Sequence, residues 1–169
     1  MKLNVRRDDI DFGTNILEVK VPKELRNKCA TGLDYIDTTL GGHGFTPSMV
    51  TMFTGTPGAG KTTMMLIMAD SLAKQGKLVV FNTAEESLHQ VKMVVERLGL
   101  KNGFMVGQET HTPTLLEKCD AIRNKRGNKN KQFVLIVDSL QCMEDGQYSY
   151  INSRTPERVL QQITEWAKT

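Results

Sequence analysis

The sequence has little of three things: paired cysteines, long apolar runs and excess charge. Its three cysteines, Cys29, Cys119 and Cys142, form no Cys-x-x-Cys pair. A zinc site or a disulfide framework is therefore not expected, and a reducing cytoplasmic location fits best. No apolar run approaches about 18 residues, and the charged residues 1–9 lack the apolar segment of a signal peptide, so we expect no membrane span. A net charge of +3 permits a polyanionic partner but does not require one.

One motif stands out from this ordinary background, the stretch 50–63 with the sequence VTMFTGTPGAGKTT. It fits the P-loop pattern G-x-x-x-x-G-K-[ST], with Gly55, Gly60, Lys61 and Thr62 at the fixed positions. An apolar run precedes it and predicts a strand over 48–54. A helical pattern follows it, so the motif has the strand–loop–helix context that a phosphate-binding loop needs.

The residue types of this loop suit a polyphosphate. Gly55, Gly58 and Gly60 have no Cβ and can adopt positive φ, so that successive N–H groups point inward at an anion. Lys61 supplies an ammonium for the β- and γ-phosphates, and the Thr62 hydroxyl can ligate Mg²⁺. The alternative is a glycine-rich turn without a ligand. We predict that ATP and Mg²⁺ bind here, and that the nucleotide contacts Gly55, Thr56, Pro57, Gly58, Ala59, Gly60, Lys61, Thr62 and Thr63.

Strands and helices alternate along the rest of the chain. Apolar runs predict further strands over 77–81, 104–106 and 133–137. Helical spacing predicts helices over 62–74, 88–98, 112–123 and 155–169, and a short one that Thr31 caps. Such alternation indicates a mainly parallel, three-layer α/β sheet. We assign residues 31–169 to this core and residues 1–30 to an N-terminal lead or arm, in which 16–21 is predicted to be either an edge strand or part of the arm.

Asp138 follows the strongest apolar run of the chain, which suits a strand covered on both faces. An acid at that place in a P-loop protein holds a water of the Mg²⁺ shell opposite Thr62. We therefore predict that Thr62 and Asp138 are the protein's groups at the metal. The alternative is a solvated acid at a strand end.

Glu85 and Glu86 follow the second apolar run, 24 and 25 residues after Lys61. Hydrolysis of ATP needs a carboxylate that orients and deprotonates the attacking water. We predict that Glu85, Glu86 and Lys61 are the catalytic residues, with Glu85 preferred as the base and Glu86 left open. The alternative is an acidic pair that complements a helix dipole.

Two further features concern basic residues. A Lys- and Arg-rich loop, 123–131, either contacts phosphates or is a solvated link between a helix and a strand. Hydrolysis also calls for a cationic stabiliser, which in this chemistry often comes from a neighbouring subunit. Arg154 and Arg158 are the candidates within this chain.

Four motifs together resemble a known family. They are TGLDYIDTTLGG at 31–42, GTPGAGKTT at 55–63, AEES at 84–87 and VDSLQ at 137–141. In this order they are similar to the RecA-type ATPase core, most of all its RadA (Sms) branch, with DnaB-type helicases and KaiC-like proteins related. The resemblance covers about residues 30–168. It implies the same roles for Lys61, Thr62, Asp138 and Glu85 or Glu86.

The resemblance also implies homo-oligomeric rings or filaments, ATP sites at subunit interfaces, and single-stranded DNA as a partner in recombination, repair or replication. In the family, a strand that follows the equivalent of the last helix lies between the P-loop strand and the strand before Asp138. We therefore expect this chain to be an incomplete core without the C-terminal strands. The DNA-contacting loops would then lie outside it too, which argues against DNA binding by this chain alone.

Three functions remain open on the sequence. The first is a Mg²⁺-dependent ATPase of RadA/RecA type, with a DnaB-like replicative helicase core as a close variant. The second is a nucleotide-dependent assembly or regulatory module that does not hydrolyse ATP. The third is a small-molecule kinase. No arginine-rich lid segment is found, which argues against the kinase, and a Glu-Glu pair after the second strand suits attack by water.

Overall fold

A computed structural model describes residues 10–148 and 150–168. Within these ranges no helix is long and apolar enough to cross a membrane. In chain order the regular elements are α1 (Lys23–Arg26), α2 (Asp34–Thr39), α3 (Lys61–Lys74), β1 (Leu78–Thr83), α4 (Leu88–Arg97), β2 (Met105–Gly107), α5 (Thr112–Arg123), β3 (Phe133–Asp138) and α6 (Thr155–Lys168).

The three described strands form one parallel sheet in the order β2-β1-β3. β1 is central and all six of its residues are buried. In the register with β3, Leu78 lies opposite Phe133 and Thr83 opposite Asp138. The carboxyl ends of β1 and β3 therefore lie side by side, at the edge of a parallel sheet where ligands bind.

Helices cover both faces of this sheet, because successive side chains of a strand point to opposite faces. Val79 and Phe81 pack with residues of α2, α3 and α4, among them the fully buried Leu66 and Leu72. Val80 packs on the other face with residues of α5 and α6. The predicted three-layer, parallel α/β fold is thus confirmed.

Two predicted strands are wrong. Within 16–21, residues Ile16–Glu18 form a 3-10 turn in place of a strand. The side chain of Asn15 caps this turn by accepting a hydrogen bond from the Leu17 amide. Residues 48–54 lead into the P-loop without pairing. No backbone hydrogen bond within the described ranges joins 50–54 to another segment. A sequence pattern shows that a segment suits a strand, but pairing also needs a neighbour with a free edge.

One finer prediction needs correction. Thr31 does not cap α2, whose N-cap position is Leu33. Thr31 instead donates its amide and hydroxyl to Oδ1 of Asp37, both at 2.8 Å. β3 is covered on both faces as predicted, since Val134 and Ile136 pack with the core on one face and Phe133, Leu135 and Val137 pack with it on the other. It has β1 on one side and no described strand on the other.

The packing predicts different reactivities for the three thiols. Burial raises the pKa of Cys29, and it raises the pKa of Cys119 to about 12. Cys142 is half-buried. Because the thiolate is the reactive form, a disulfide reagent at pH 8 should modify one cysteine rapidly in the native protein and three after denaturation. Cys142→Ser should remove the fast reaction, and a fast reaction that persists in this variant would contradict the packing around α3 and α5.

Candidate nucleotide site

The P-loop joins the unpaired segment 50–54 to the N-terminus of α3. Gly58 and Gly60 have φ values of 77° and 83°, the conformation for which glycine was predicted. Gly55 does not share it. A Cβ at Gly55 would lie 3.5 Å from that of Ala59 and 3.7 Å from the Lys61 side chain. These are ordinary van der Waals distances, so neither the backbone conformation nor the packing in this structure requires glycine at position 55.

Lys61 folds back over the loop. Its Nζ donates to the carbonyl oxygens of Gly55 at 2.8 Å and Thr56 at 3.0 Å. The ammonium thus lies inside the loop, where a phosphate oxygen could replace these carbonyl groups. Gly60 is the N-cap residue of α3. The first N–H groups of a helix have no partner within it, so the positive end of the helix dipole opens on the same loop.

Thr62 and Asp138 are in direct contact. The Thr62 hydroxyl donates to Oδ2 of Asp138 at 2.6 Å, across 76 positions of sequence. This bond joins the first turn of α3 to the carboxyl end of β3. A hydroxyl and a carboxylate are the hard oxygen donors that Mg²⁺ takes, so both predicted metal residues fit that ion. Within the described ranges, no cluster of three His, Cys, Asp or Glu side chains offers another metal site.

The register of β1 and β3 brings a second carboxylate to this edge. The Ala84 amide donates to the Asp138 carbonyl at 2.7 Å, which extends the pairing past both strand ends. Glu85 is the next residue and is exposed. Its Oε2 accepts a hydrogen bond from Ser139 Oγ at 3.2 Å. Ser139 was not among the predicted site residues, although its place directly after Asp138 puts it at the same edge of the sheet.

Glu86 has a different environment from Glu85. Its amide donates to Thr83 Oγ1 at 3.0 Å, and its carbonyl accepts from the same hydroxyl at 2.8 Å. These two bonds fix the turn after β1. Its Oε2 is buried and has no hydrogen-bond partner within the described residues. Of the two acids, Glu85 therefore reaches the open side of the site.

The two candidate cationic stabilisers are placed in or beside α6. Arg158 forms an ion pair with the buried Asp145, and its guanidinium lies 4.7 Å from the ring centre of Tyr148. Burial raises the pKa of Asp145, but its bonds with the Gln147 amide and Arg158 outweigh this and hold the pKa below its usual range. Arg158 is thus engaged in the fold. The amide of Arg154 is held in the turn before α6.

Comparisons with known proteins agree with this geometry. Residues 29–110 match the family model described as the KaiC ATPase. The DNA repair protein RadA of Mycobacterium tuberculosis is 30% identical over 118 residues, which are 68% of this chain and 23% of that protein. RadA of Salmonella typhimurium is 33% identical over 142 residues, or 83% of this chain and 29% of that protein. The chain thus spans about a quarter of the length of these relatives.

A solved structure shows the same fold. A DnaB-like replicative helicase, described with its interactions with primase, superimposes with a TM-score of 0.66 at 14% sequence identity. The match covers 83% of this chain and 40% of that chain. At this identity the likeness concerns the fold, and together with the relatives it agrees with the RecA-type core to which the motifs are similar.

The contact between Thr62 and Asp138 predicts how the two residues affect metal dependence. Thr62→Val removes the hydroxyl but keeps the side-chain volume, so Mg²⁺ should no longer increase the affinity for a fluorescent ATP analogue. Asp138→Asn should act in the same way. Thr39→Val, at an exposed position at the end of α2, is the matched control and should leave the Mg²⁺ effect unchanged. Fluorescence titrations with and without Mg²⁺ measure this, and an undiminished effect in Thr62→Val would exclude the assigned metal ligand.

Proposed function

Because the chain belongs to the RecA-type P-loop ATPases, we propose that it binds ATP with Mg²⁺ and hydrolyses it. The observation that carries this proposal is the meeting of three elements at one edge of the sheet. The first turn of α3 bonds to Asp138, and Asp138 is followed by Ser139, which bonds to Glu85. A phosphate-binding helix end, a metal-binding acid and a candidate base then share one site.

Each residue has a definite task in this proposal. The P-loop amides and Lys61 hold the phosphates, so that the γ-phosphate faces the ends of β1 and β3. Thr62 and Asp138 hold Mg²⁺, which neutralises negative charge on the β- and γ-phosphates when it is bound. Glu85 orients the attacking water and accepts its proton. Glu86 fixes the turn that presents Glu85.

Ser139 is proposed as a positioning residue for Glu85. Its hydroxyl donates to one carboxylate oxygen, which leaves the other free for water. The donation also restricts the rotamers of an exposed side chain. A base that is already held in place loses less conformational entropy in the transition state. Small displacements of a catalytic group lower the reaction rate strongly.

The wider activity proposed is work on single-stranded DNA in repair, recombination or replication. The relatives named as DNA repair protein RadA support this, as does the fold shared with a replicative helicase. We propose a homo-oligomer, a ring or a filament, in which a neighbouring subunit supplies the cationic stabiliser. The ion pair between Arg158 and Asp145 supports a source outside this chain, since that guanidinium is already engaged.

We further propose that residues 31–169 form one nucleotide-binding unit, with residues 1–30 as an arm. In this proposal a strand from outside the described residues lies between β3 and 50–54. The outer edge of β3 and the segment 50–54 both carry backbone groups that the described residues do not pair. A strand there would satisfy both sets of groups.

Replacement of the candidate base tests hydrolysis. Glu85→Gln keeps the shape but removes proton acceptance, so kcat for ATP should fall by about 10²–10⁴-fold while ATP still binds. Steady-state phosphate release with and without single-stranded DNA gives the rates, and a fluorescent ATP analogue gives the binding. Glu96→Gln, an exposed acid on α4, is the matched control and should retain wild-type turnover.

Other outcomes would point elsewhere. Tight binding without turnover in the wild type would favour a nucleotide-dependent assembly module, and turnover only with an added acceptor would favour a kinase. Equal turnover in wild type and Glu85→Gln would remove Glu85 from the mechanism. A loss of rate in Glu86→Gln alone would transfer the role of base to Glu86.

The role of Ser139 predicts a non-additive pair of substitutions. Ser139→Ala should lower kcat about tenfold to a hundredfold with little change in KM, because the base is misplaced but the nucleotide contacts remain. Ser139→Thr keeps a hydroxyl and should restore much of the rate. In a Glu85→Gln background, Ser139→Ala should cause no further loss. Additive losses would mean that Ser139 acts through something other than Glu85.

A further inference from the structure

Basic residues from three separate segments meet at the amino-terminal edge of the sheet. We call this surface the basic edge, and it consists of Arg26, Lys28, Lys77, Lys125, Arg126, Lys129 and Lys131. Lys77 directly precedes β1, and the last four lie between α5 and β3. The nucleotide site is at the carboxyl ends of the same strands. The two surfaces lie at opposite ends of α3, whose 14 residues span about 20 Å.

Gln132 holds the three segments together. Its Oε1 accepts a hydrogen bond from the Lys77 ammonium, and its Nε2 donates to the Asn27 carbonyl at 3.0 Å. Its own carbonyl accepts from the Leu78 amide at 2.9 Å, which continues the pairing of β1 with β3. One side chain thus connects the segment after α1, the start of β1 and the basic loop. Residues distant in sequence share a surface because of it.

The basic loop is folded into turns and is not an extended link. The Asn128 amide donates to the Lys125 carbonyl, and the Lys131 amide donates to the Asn128 carbonyl, both at 2.9 Å. The side chain of Asn128 also bonds to the Ile122 carbonyl at the end of α5, at 2.9 Å. The loop therefore presents its lysine and arginine side chains from a fixed backbone.

The charges on this loop are not neutralised by the protein. Lys125, Arg126, Lys129 and Lys131 are exposed, and none forms an ion pair within the described ranges. The sequence has no acidic residue between Asp120 and Asp138. The basic edge contains seven of the 22 basic residues of the chain. The rest of the chain therefore has 15 basic and 19 acidic residues. A positive edge on an otherwise slightly negative chain attracts polyanions.

We propose that the basic edge binds the phosphate backbone of a nucleic acid. The choice of nucleic acid as the polyanion rests on the proposed function, while the position of the surface rests on the structure alone. Exposed cations on two segments, with the half-buried Lys77 on a third, suit an extended row of phosphates better than a single phosphate group. The seven residues of the basic edge include no aromatic side chain that could stack on a base. Contacts to phosphates carry no sequence information, so the proposed binding is independent of sequence.

Binding of nucleic acid without nucleotide tests this proposal. Fluorescence anisotropy with a labelled oligothymidylate and with a duplex of the same length, at several salt concentrations, gives the affinity and its salt dependence. The test variant is Lys125→Gln/Arg126→Gln/Lys129→Gln. The matched control is Lys92→Gln/Arg97→Gln/Lys101→Gln, which removes three exposed charges on and after α4. Circular dichroism melts of both variants establish that they fold.

We expect the test variant to bind at least tenfold more weakly than wild type at low salt. The slope of log K against log salt should fall by about 2–3, since each phosphate contact contributes about 0.7–0.9. The control should keep the wild-type slope. Preference for the oligothymidylate or for the duplex identifies the form bound. Equal losses in both variants, an unchanged test variant, or binding of an acidic peptide but of neither nucleic acid would overturn the proposal.

These outcomes are distinguishable from failure of the proposed function. The titration contains no ATP, so it stays informative even if the wild type hydrolyses none. Conversely, Lys61→Ala should abolish binding of the ATP analogue and leave the affinity for the oligonucleotide as in wild type. Loss of both in this variant would contradict two separate surfaces.

Discussion

The hydrogen bond between Thr62 and Asp138 is the contact on which the candidate site depends. It is the direct link between the helix that follows the P-loop and the strand that ends at Asp138. A residue at the start of α3 can reach the end of β3 because α3 crosses one face of the sheet, with Leu66 and Leu72 fully buried beneath it. Hydrophobic packing therefore sets the direction of the helix, and the polar contact fixes the first turn of α3 beside the carboxyl end of β3. Two oxygen-bearing side chains 76 positions apart thus meet at one point, as the proposed Mg²⁺ site requires.

The same packing leaves one part of the sheet without partners. Residues 50–54 precede the P-loop and pair with no described strand, and β3 has a second edge that no described segment pairs. Within the loop itself, Lys61 donates hydrogen bonds to two loop carbonyls. A phosphate that draws Lys61 away would remove those bonds, so nucleotide binding and support of the segment 50–54 are physically connected.

Local patterns predicted most of the fold, and non-local pairing explains the errors. The helix 112–123 and the strand that ends at Asp138 follow from spacing and composition, since their signals lie within the segments themselves. The strand predicted over 48–54 failed because its formation needs a partner that no local pattern contains. The site divides in the same way. Gly60 and Lys61 are recognisable from a motif, whereas the bond from Ser139 to Glu85 depends on the register between β1 and β3. Only a sheet with known register could have predicted that contact.

Charge is distributed over this sheet in a way that the net value of +3 conceals. The carboxyl edge carries Glu85, Glu86 and Asp138, with Lys61 as the cation inside the loop. In the proposed site, helix amides, one ammonium and a divalent ion would compensate the charge of an anionic nucleotide that binds beside three acids. The amino-terminal edge uses mobile lysine and arginine side chains instead. Such side chains next to the P-loop would compete with the metal for the phosphates and pair with the acids. Their position at the far end of α3 avoids both conflicts, so one small sheet can present two anion-binding surfaces of different kinds.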